Sequence, residues 1–381
     1  MPPAIAEEIR QILASPIDWD FLLFEAGCHS VTPLLCRQLS SVAAGVLDPS
    51  RLQQLKDTSR AFALRNLILS AELVSVIERL ASQGVQAVPY KGPVLAIQAY
   101  EDFALREFED LDIIVRQRDI PRANDAVVSL GYRAKFPWVV SGEAPARVVP
   151  AEYIYRDETR RIMVELHTER TLRHFPRPAN IDDLASRLAP ISVSGHDVQT
   201  FSPEDTLLLL SIHGSKHFWE QLSWIADIAE FVQAYPNLDW KRLLHQADAT
   251  RANRVLAISM ALAERLFGCP LPAEALLRIH ADREAGPIAE EISARLLARD
   301  PREPGAIARF HLRRHMLSGF FEGWRYSLRL ATQPSEEDWS PTASTVLAPL
   351  SPLLRPFRLL RKYSTSPVSR RESIETKKAS N

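Results

Sequence analysis

The spacing of apolar residues changes along the chain and divides it into regions of different structure. Helical spacing runs from residue 60 to 83, period-two alternation marks short runs between 85 and 200, and helical spacing returns from Ser202 to about residue 330. We therefore predict an α+β fold with a small mixed sheet followed by an all-helical C-terminal domain. The predicted segments are a helical N-terminus (1–60), an α/β core (61–200), a helical domain (201–340), and a Pro-rich linker with a disordered tail (341–381).

The helix predicted over residues 60–83 has one apolar stripe, which we expect to face the core. The stripe consists of Leu64, Leu67, Ile68, Ala71, Val74 and Ile77.

The run from Asp110 to Val115 predicts a strand that carries two acids on one face. Asp110 and Asp112 point to the side opposite the intervening apolar residues. Two carboxylates this close repel each other unless a cation neutralises them. Mg²⁺ is the usual cation in such sites. Taken alone, an Asp-x-Asp pair indicates a solvated strand edge, and the neighbouring cations and a third acid favour the metal site instead.

A third acid lies in the next apolar strand, predicted from Arg161 to His167. The alternation there puts Met163, Glu165 and His167 on one face. Glu165 lies beside the two aspartates if the two strands are neighbours in the sheet. The alternative is an exposed strand acid.

Candidate phosphate-binding groups precede the acids. A short strand from Val85 to Val88 is followed by Lys91-Gly92 and a helix predicted from Pro93 to Tyr100, whose free N–H groups favour an anion. Arg106 offers a further cation. Lys91 could also be a solvated turn residue, and Arg106 could pair with Glu109 or Asp110.

A second group of polar residues recurs further on at helical spacing. If the helix is unbroken, the group occupies an arc of roughly 80°. Three interpretations compete: a zinc site, the wall of an active-site cleft, or hydrogen-bonded groups between helices. This group, called the polar stripe below, consists of His213, His217, Glu220, Trp224 and Asp227.

Composition restricts the functional class. The 381 residues carry a net charge of -1, with 46% hydrophobic and 24% charged residues, which is typical of a soluble globular protein. This balance argues against a nucleic-acid partner, and no apolar run approaches the ~20 residues of a membrane span. Three cysteines without metal-site spacing fit a reducing compartment, and we predict a cytoplasmic location.

In this order, the motifs resemble the DNA-polymerase-β-like nucleotidyltransferase superfamily and, more narrowly, its uncharacterised nucleotidyltransferase family. The resemblance covers roughly residues 60–270. Its motifs are Lys91-Gly92, Arg106-x3-Asp110-Leu-Asp112, Leu130-Gly-Tyr132, Val164-Glu165-Leu-His167, His213-x3-His217 and Trp224-x2-Asp227.

The resemblance implies an α+β nucleotidyltransferase core and a metal-dependent reaction. It implies that Asp110, Asp112 and Glu165, called the acid cluster below, bind two Mg²⁺ ions, with Mn²⁺ as the other candidate, and catalyse transfer from a nucleoside triphosphate (NTP). The sequence departs from the superfamily at one place, because Tyr90-Lys91-Gly92 stands where a Gly-Ser turn is usual. The predicted nucleotide-binding residues are Lys91, Gly92, Arg106, His213 and His217.

Three functional hypotheses follow. The first is an enzyme that transfers a nucleotidyl group to a small molecule, peptide or protein. The second is a non-catalytic module that keeps the fold and binds an NTP or a partner. The third, a nucleic-acid-directed transferase, is disfavoured by the near-zero net charge.

Overall fold

The computed structural model describes residues 3–42, 46–135, 152–169, 177, 179–298 and 306–317, together with 321, 323–325 and 328. The predicted linker and tail at 341–381 lie outside these residues. Within them the architecture is α+β and mostly helical, with a mixed five-stranded sheet and a two-stranded hairpin. Among the helices described, none has the length and apolar character needed to cross a membrane.

The N-terminal part is helical, as its spacing predicts. Its helices are α1 (Pro3–Leu13), α2 (Trp19–Cys28), α3 (Thr32–Val42) and α4 (Pro49–Ser82). The carboxylate of Asp48 caps α4 by accepting hydrogen bonds from the backbone N–H groups of Ser50 and Arg51. Residue 60, where we placed a segment boundary, lies inside α4.

The buried face of α4 agrees with the predicted apolar stripe at Val74 and Ile77 and differs from it nearer the start of the helix. Leu64, Leu67 and Ile68 are exposed, whereas Leu69 and Leu73 are buried. The cause is that this stretch of α4 is apolar on more than one side, so hydrophobic periodicity alone cannot select the core face. A polar residue on the buried side decides the orientation: the Asn66 side-chain amide donates to the carbonyls of Phe103 and Arg106, at 2.5 and 2.8 Å.

The sheet runs in the order β1-β2-β5-β4-β3. Only the β2–β5 pair is parallel, and the other pairs are antiparallel. The strands are β1 (Ala87–Pro89), β2 (Asp110–Val115), β3 (Arg133–Ala134), β4 (Glu152–Asp157) and β5 (Ile162–His167), and the hairpin is β6 (Ala189–Val193) with β7 (His196–Thr200). The sequence pattern predicts a strand from Tyr132 to Phe136, whereas β3 is shorter and Phe136 lies outside the described residues.

The sheet is a layer between two apolar cores. Leu111 and Ile113 of β2 pack with α4 and with α6 (Ile120–Ser129) on one side. Ile114, on the opposite face, joins Tyr90 and the C-terminal helices in the other core. Because alternate residues of β2 face different cores, the face that carries Asp110 and Asp112 is covered by helices.

After β7, the described residues form helices joined by turns and loops. Phe201, where we placed a domain boundary, is buried in the core that joins the sheet to these helices. The remaining helices are α5 (Gly92–Tyr100), α7 (Ile181–Ala185), α8 (Pro203–Lys216), α9 (Leu222–Ala234), α10 (Trp240–Ala249), α11 (Asn253–Phe267), α12 (Ala273–Ala281), α13 (Ala285–Leu296) and α14 (Ala306–His315).

The unbroken helix assumed for the polar stripe is wrong. Helix α8 ends at Lys216, and Phe218 and Trp219 adopt left-handed conformations with φ of 57° and 46° before α9 begins. Gly214 permits this turn, because a Cβ at that position would lie 2.3 Å from Nε1 of the buried Trp219 ring. His213 therefore lies on α8 and Asp227 on α9, whereas His217 and Glu220 lie in the turn between the two helices.

Alanine substitution of two leucines on α4 tests which face of the helix is buried. Leu69→Ala should lower the free energy of unfolding by about 2–5 kcal/mol, because it leaves a cavity in the core. Leu67→Ala should change it by no more than about 0.5 kcal/mol, because Leu67 is 52% exposed. Urea denaturation measures both values. Equal losses for the two variants would contradict this orientation of α4.

Candidate active site

The strand register brings the predicted acids to one face of the sheet. In the parallel pair of β2 with β5, Asp112 lies opposite Glu165 and Ile114 opposite His167. In the antiparallel pair of β4 with β5, Glu152 lies opposite His167. The two strands that carry the acids are therefore neighbours in the sheet, as the predicted site requires. Glu152 joins the same area from a third strand.

Asp112 is the centre of this area. It is 4% exposed, and its Oδ1 atom lies 3.2 Å from Lys91 Nζ and 2.7 Å from His167 Nε2. Burial by itself raises the pKa of Asp112, but the charges and hydrogen bonds of Lys91 and His167 outweigh burial and hold the pKa well below its usual range. Asp112 is therefore ionised, and one of its oxygen atoms lies against both the Lys91 ammonium group and the His167 ring.

Gly92 allows Lys91 to reach Asp112 at the start of α5. Gly92 has a φ of 53°, and a Cβ there would lie 3.1 Å from the backbone oxygen of Asp110. Only glycine adopts this conformation without strain while the backbone passes so close to β2. The structure thus explains why glycine follows Lys91: the turn at Gly92 brings the lysine to the acid cluster. Its predicted contact with phosphate remains untested.

The other two members of the acid cluster lack enough positive charge. Burial and the charge of Asp112 raise the pKa of Asp110 to about 6. Burial, followed by the charges of Asp112 and Asp110, raises the pKa of Glu165 to about 7. Carboxyl groups respond in this way when burial and like charges exceed nearby cations. The donor set therefore suits a bound cation.

The donor atoms that lie closest together differ in part from the predicted set. Asp112, Glu165 and His167 each offer one ligand atom, and these atoms lie within 4.8 Å of one another. In the part of the chain that the structure describes, this is the one group of three such residues. Sequence reasoning assigned no role to His167, although its place in the alternation of β5 put it on the face of Glu165.

Glu152 is a second functional candidate that sequence reasoning missed. Its Oε1 atom lies 3.7 Å from His167 Nδ1 and 3.3 Å from Lys216 Nζ at the end of α8. Burial acts to raise the pKa of Glu152, but Lys216 and His167 lower it to about 2. Only the pairing of β4 with β5 shows its position, because nothing in its local sequence marks it.

Arg106 binds a partner that its sequence neighbourhood does not contain. Its Nε and Nη2 atoms donate to both carboxylate oxygens of Asp227 in α9, at 3.0–3.2 Å. The Tyr100 hydroxyl donates to the same carboxylate at 2.9 Å. The pairing with Glu109 or Asp110 considered above is not what the structure shows. Arg106 fastens α9 to the loop before β2.

The polar stripe separates into three environments. The rings of His213, His217 and Trp224 cluster with centroids 5.0–5.5 Å apart. Asp227 pairs with Arg106, and Glu220 lies 3.1 Å from Arg309. Among the described residues, the His213–His217 pair belongs to no group of three metal-ligating side chains. This finding gives no support to the zinc interpretation.

The two histidine rings are neutral near pH 7. Burial, followed by the charge of Lys91, holds the pKa of His213 well below its usual range. Burial and then Lys216 lower the pKa of His217 to about 3. Neutral imidazoles both donate and accept hydrogen bonds, whereas they lack the charge that attracts phosphate.

The chain matches a known protein family over most of its described length. The model of the family described as uncharacterised nucleotidyltransferase matches residues 15–268, and the chain belongs to this family. A crystal structure of an antigenic nucleotidyltransferase-like protein from Paracoccidioides brasiliensis is 14% identical, with a TM-score of 0.36, and the match covers 57% of this chain and 93% of that one. No curated protein matches the chain.

The depressed pKa of His217 predicts a loss of stability in acid. The unfolded chain binds a proton at this histidine below its ordinary pKa of 6.5, whereas the folded chain binds it only near pH 3. Stability should therefore fall as the pH drops from 6.5 towards 4, by up to about 1.4 kcal/mol per pH unit for this one group. Urea denaturation across this range should show a shallower slope for His217→Gln. The exposed-site control His196→Gln should keep the wild-type slope, and an unchanged slope in His217→Gln would contradict the assignment.

The Arg106–Asp227 pair predicts a large effect on folding. Asp227→Asn leaves the buried guanidinium without its anion and should cost about 3–5 kcal/mol of the free energy of unfolding. Asp197→Asn, on the exposed hairpin, serves as the control and should stay within about 0.5 kcal/mol. Thermal and urea denaturation measure the difference. Similar stabilities for the two variants would show that the pair does not hold α9 in place.

Proposed function

We propose that the protein is a metal-dependent nucleotidyltransferase that transfers a nucleotidyl group from an NTP to a small-molecule, peptide or protein acceptor. The observation that carries this proposal is the convergence of Asp110, Asp112 and Glu165 on one buried face of the sheet, beside Lys91. Membership of the nucleotidyltransferase family supports the same chemistry.

The metal requirement follows from the charge balance of the acid cluster. Asp110, Asp112 and Glu165 are the residues that would hold divalent ions, as the resemblance implies. Their fit is supported by the raised pKa values of Asp110 and Glu165, which result first from burial and then from the negative charge of neighbouring acids. A bound divalent ion supplies Lewis-acid charge that activates the attacking oxygen and stabilises the leaving one.

The reaction is a substitution at phosphorus. The acceptor oxygen forms a bond to the α-phosphorus, the bond from that phosphorus to the bridging oxygen breaks, and pyrophosphate leaves. The acceptor's proton passes to solvent. We assign to Lys91, at the N-terminal end of α5, the neutralisation of phosphate charge. The neutral rings of His213 and His217 suit hydrogen bonding to the polar edge of a nucleobase.

We assign Arg106 a structural role, although the sequence predicted that it binds the nucleotide. Because both carboxylate oxygens of Asp227 accept from it, we assign Arg106 to positioning the loop before Asp110. The contact of Arg106 with phosphate therefore requires exchange of Asp227 for the substrate.

One observation favours a non-catalytic binding module as the second candidate. Lys91 and Arg106, the two predicted phosphate-binding cations, both form ion pairs with acids of the chain itself. A partner-binding module that keeps the fold would tolerate this arrangement, whereas NTP binding through Lys91, with or without catalysis, requires that Lys91 leave Asp112.

Calorimetry of NTP binding with and without divalent metal tests the proposal. Wild-type protein should bind an NTP only with metal present and should release pyrophosphate when supplied with an acceptor. Asp112→Asn should lower that release at least ~100-fold, because it removes charge at the site of transfer. Asp197→Asn, distant on the exposed hairpin, is the matched control. Metal-independent binding that is unaffected by Asp112→Asn would refute the proposal, and metal-dependent binding without pyrophosphate release would establish the second candidate.

A further inference from the structure

The imidazole of His167 lies in a position that the three-carboxylate scheme does not use. Its Nε2 atom is 2.7 Å from Asp112 Oδ1 and 3.5 Å from Glu165 Oε2. The ring is buried, and its orientation is restricted by the edge of Tyr90, whose centroid lies 5.5 Å away at an interplanar angle of 84°. One nitrogen atom is therefore directed between two carboxylates of the acid cluster.

We propose that His167 is a metal ligand, so that one ion is held by Asp112, Glu165 and His167 and the site selects a first-row transition ion over Mg²⁺. The inference rests on the proposed function only in taking the acid cluster as the cation site. Asp110 lies outside this group of three and remains available for a second ion or for the substrate.

The surroundings of the second ring nitrogen support this role. Histidines that bind metals usually direct the other ring nitrogen at a carboxylate, which fixes the ring and strengthens its donor atom. Here Glu152 Oε1 lies 3.7 Å from Nδ1. Lys216, 3.3 Å from the same oxygen, anchors Glu152 from α8. The carboxylate of Glu152, held by Lys216, thus lies on the far side of the His167 ring from the proposed metal site.

The ligand set determines which ion is preferred. Mg²⁺ is bound through oxygen atoms and retains much of its water. An imidazole nitrogen adds affinity for first-row transition ions. Two carboxylates with one imidazole should therefore favour Mn²⁺ and the later ions of that row over Mg²⁺. We commit to Mn²⁺ as the probe because its unpaired electrons report a directly bound nitrogen.

The test uses the full-length protein and Mn²⁺ alone, without nucleotide. Electron spin-echo spectroscopy of the wild-type protein should show modulation from a coordinated imidazole nitrogen, and competition should show Mn²⁺ binding at least ~10-fold more tightly than Mg²⁺. His167→Gln should abolish the modulation and weaken Mn²⁺ binding ~10-fold or more. The control His196→Gln should change neither result.

A second variant addresses the case in which His167→Gln fails to fold. Glu152→Gln keeps the imidazole and should retain the nitrogen modulation while weakening Mn²⁺ binding roughly 10-fold. Mn²⁺ bound by the wild-type protein without nitrogen modulation overturns the proposal, as does a failure of the unmodified protein to bind Mn²⁺.

These outcomes are separable from the fate of the proposed function. Pyrophosphate release with Mg²⁺ but no nitrogen modulation would leave the transferase standing and remove His167 as a ligand. Nitrogen modulation in a protein that never releases pyrophosphate would establish the metal site and remove the transferase.

Discussion

The buried charge of Asp112 is the constraint on which the surrounding residues depend. A buried carboxylate is costly unless it is paired, and one oxygen of Asp112 is met by both Lys91 and His167. Each of those partners is fixed by further structure: Lys91 by the glycine turn that opens α5, and His167 by its place on β5. Removing either would leave the buried carboxylate with one of its two partners. The local sequence around the site is therefore constrained by this carboxylate as much as by any substrate.

Two ion pairs, one buried and one half-buried, connect the region of the acid cluster to the C-terminal helices. Arg106 joins the loop before β2 to Asp227 of α9, and Lys216 of α8 joins Glu152 of β4. Both contacts cross from the sheet to the C-terminal helices. Since one ends beside the acid cluster and the other lies on the loop that leads into it, the position of α8 and α9 is coupled to the geometry of the site.

The sequence predicted the strands and the faces of the acids because period-two alternation is local and strong. The bounds of β2 agree with that prediction, and β5 differs from it by one residue. The partners of Arg106 and Glu152 could not be predicted, because each depends on residues far away in the chain. The face of α4 was predicted correctly at Val74 and Ile77 but wrongly at its earlier leucines, because apolar residues occupy several sides of that helix there. The break after Lys216 was missed because it depends on how Trp219 packs against Gly214.

The parallel pairing of β2 with β5 also has a consequence for the order of assembly. Strands β4 and β5 are joined by a tight turn and can pair early, whereas β2 is separated from β5 by α6, β3 and β4. Closing that longer loop carries a larger entropic cost, so contacts between β2 and β5 belong to a later step. Asp112 and Glu165 are therefore distant in the unfolded chain and meet only when the sheet closes. An ion that binds both has little affinity for the unfolded chain, and its binding free energy adds directly to the stability of the native state.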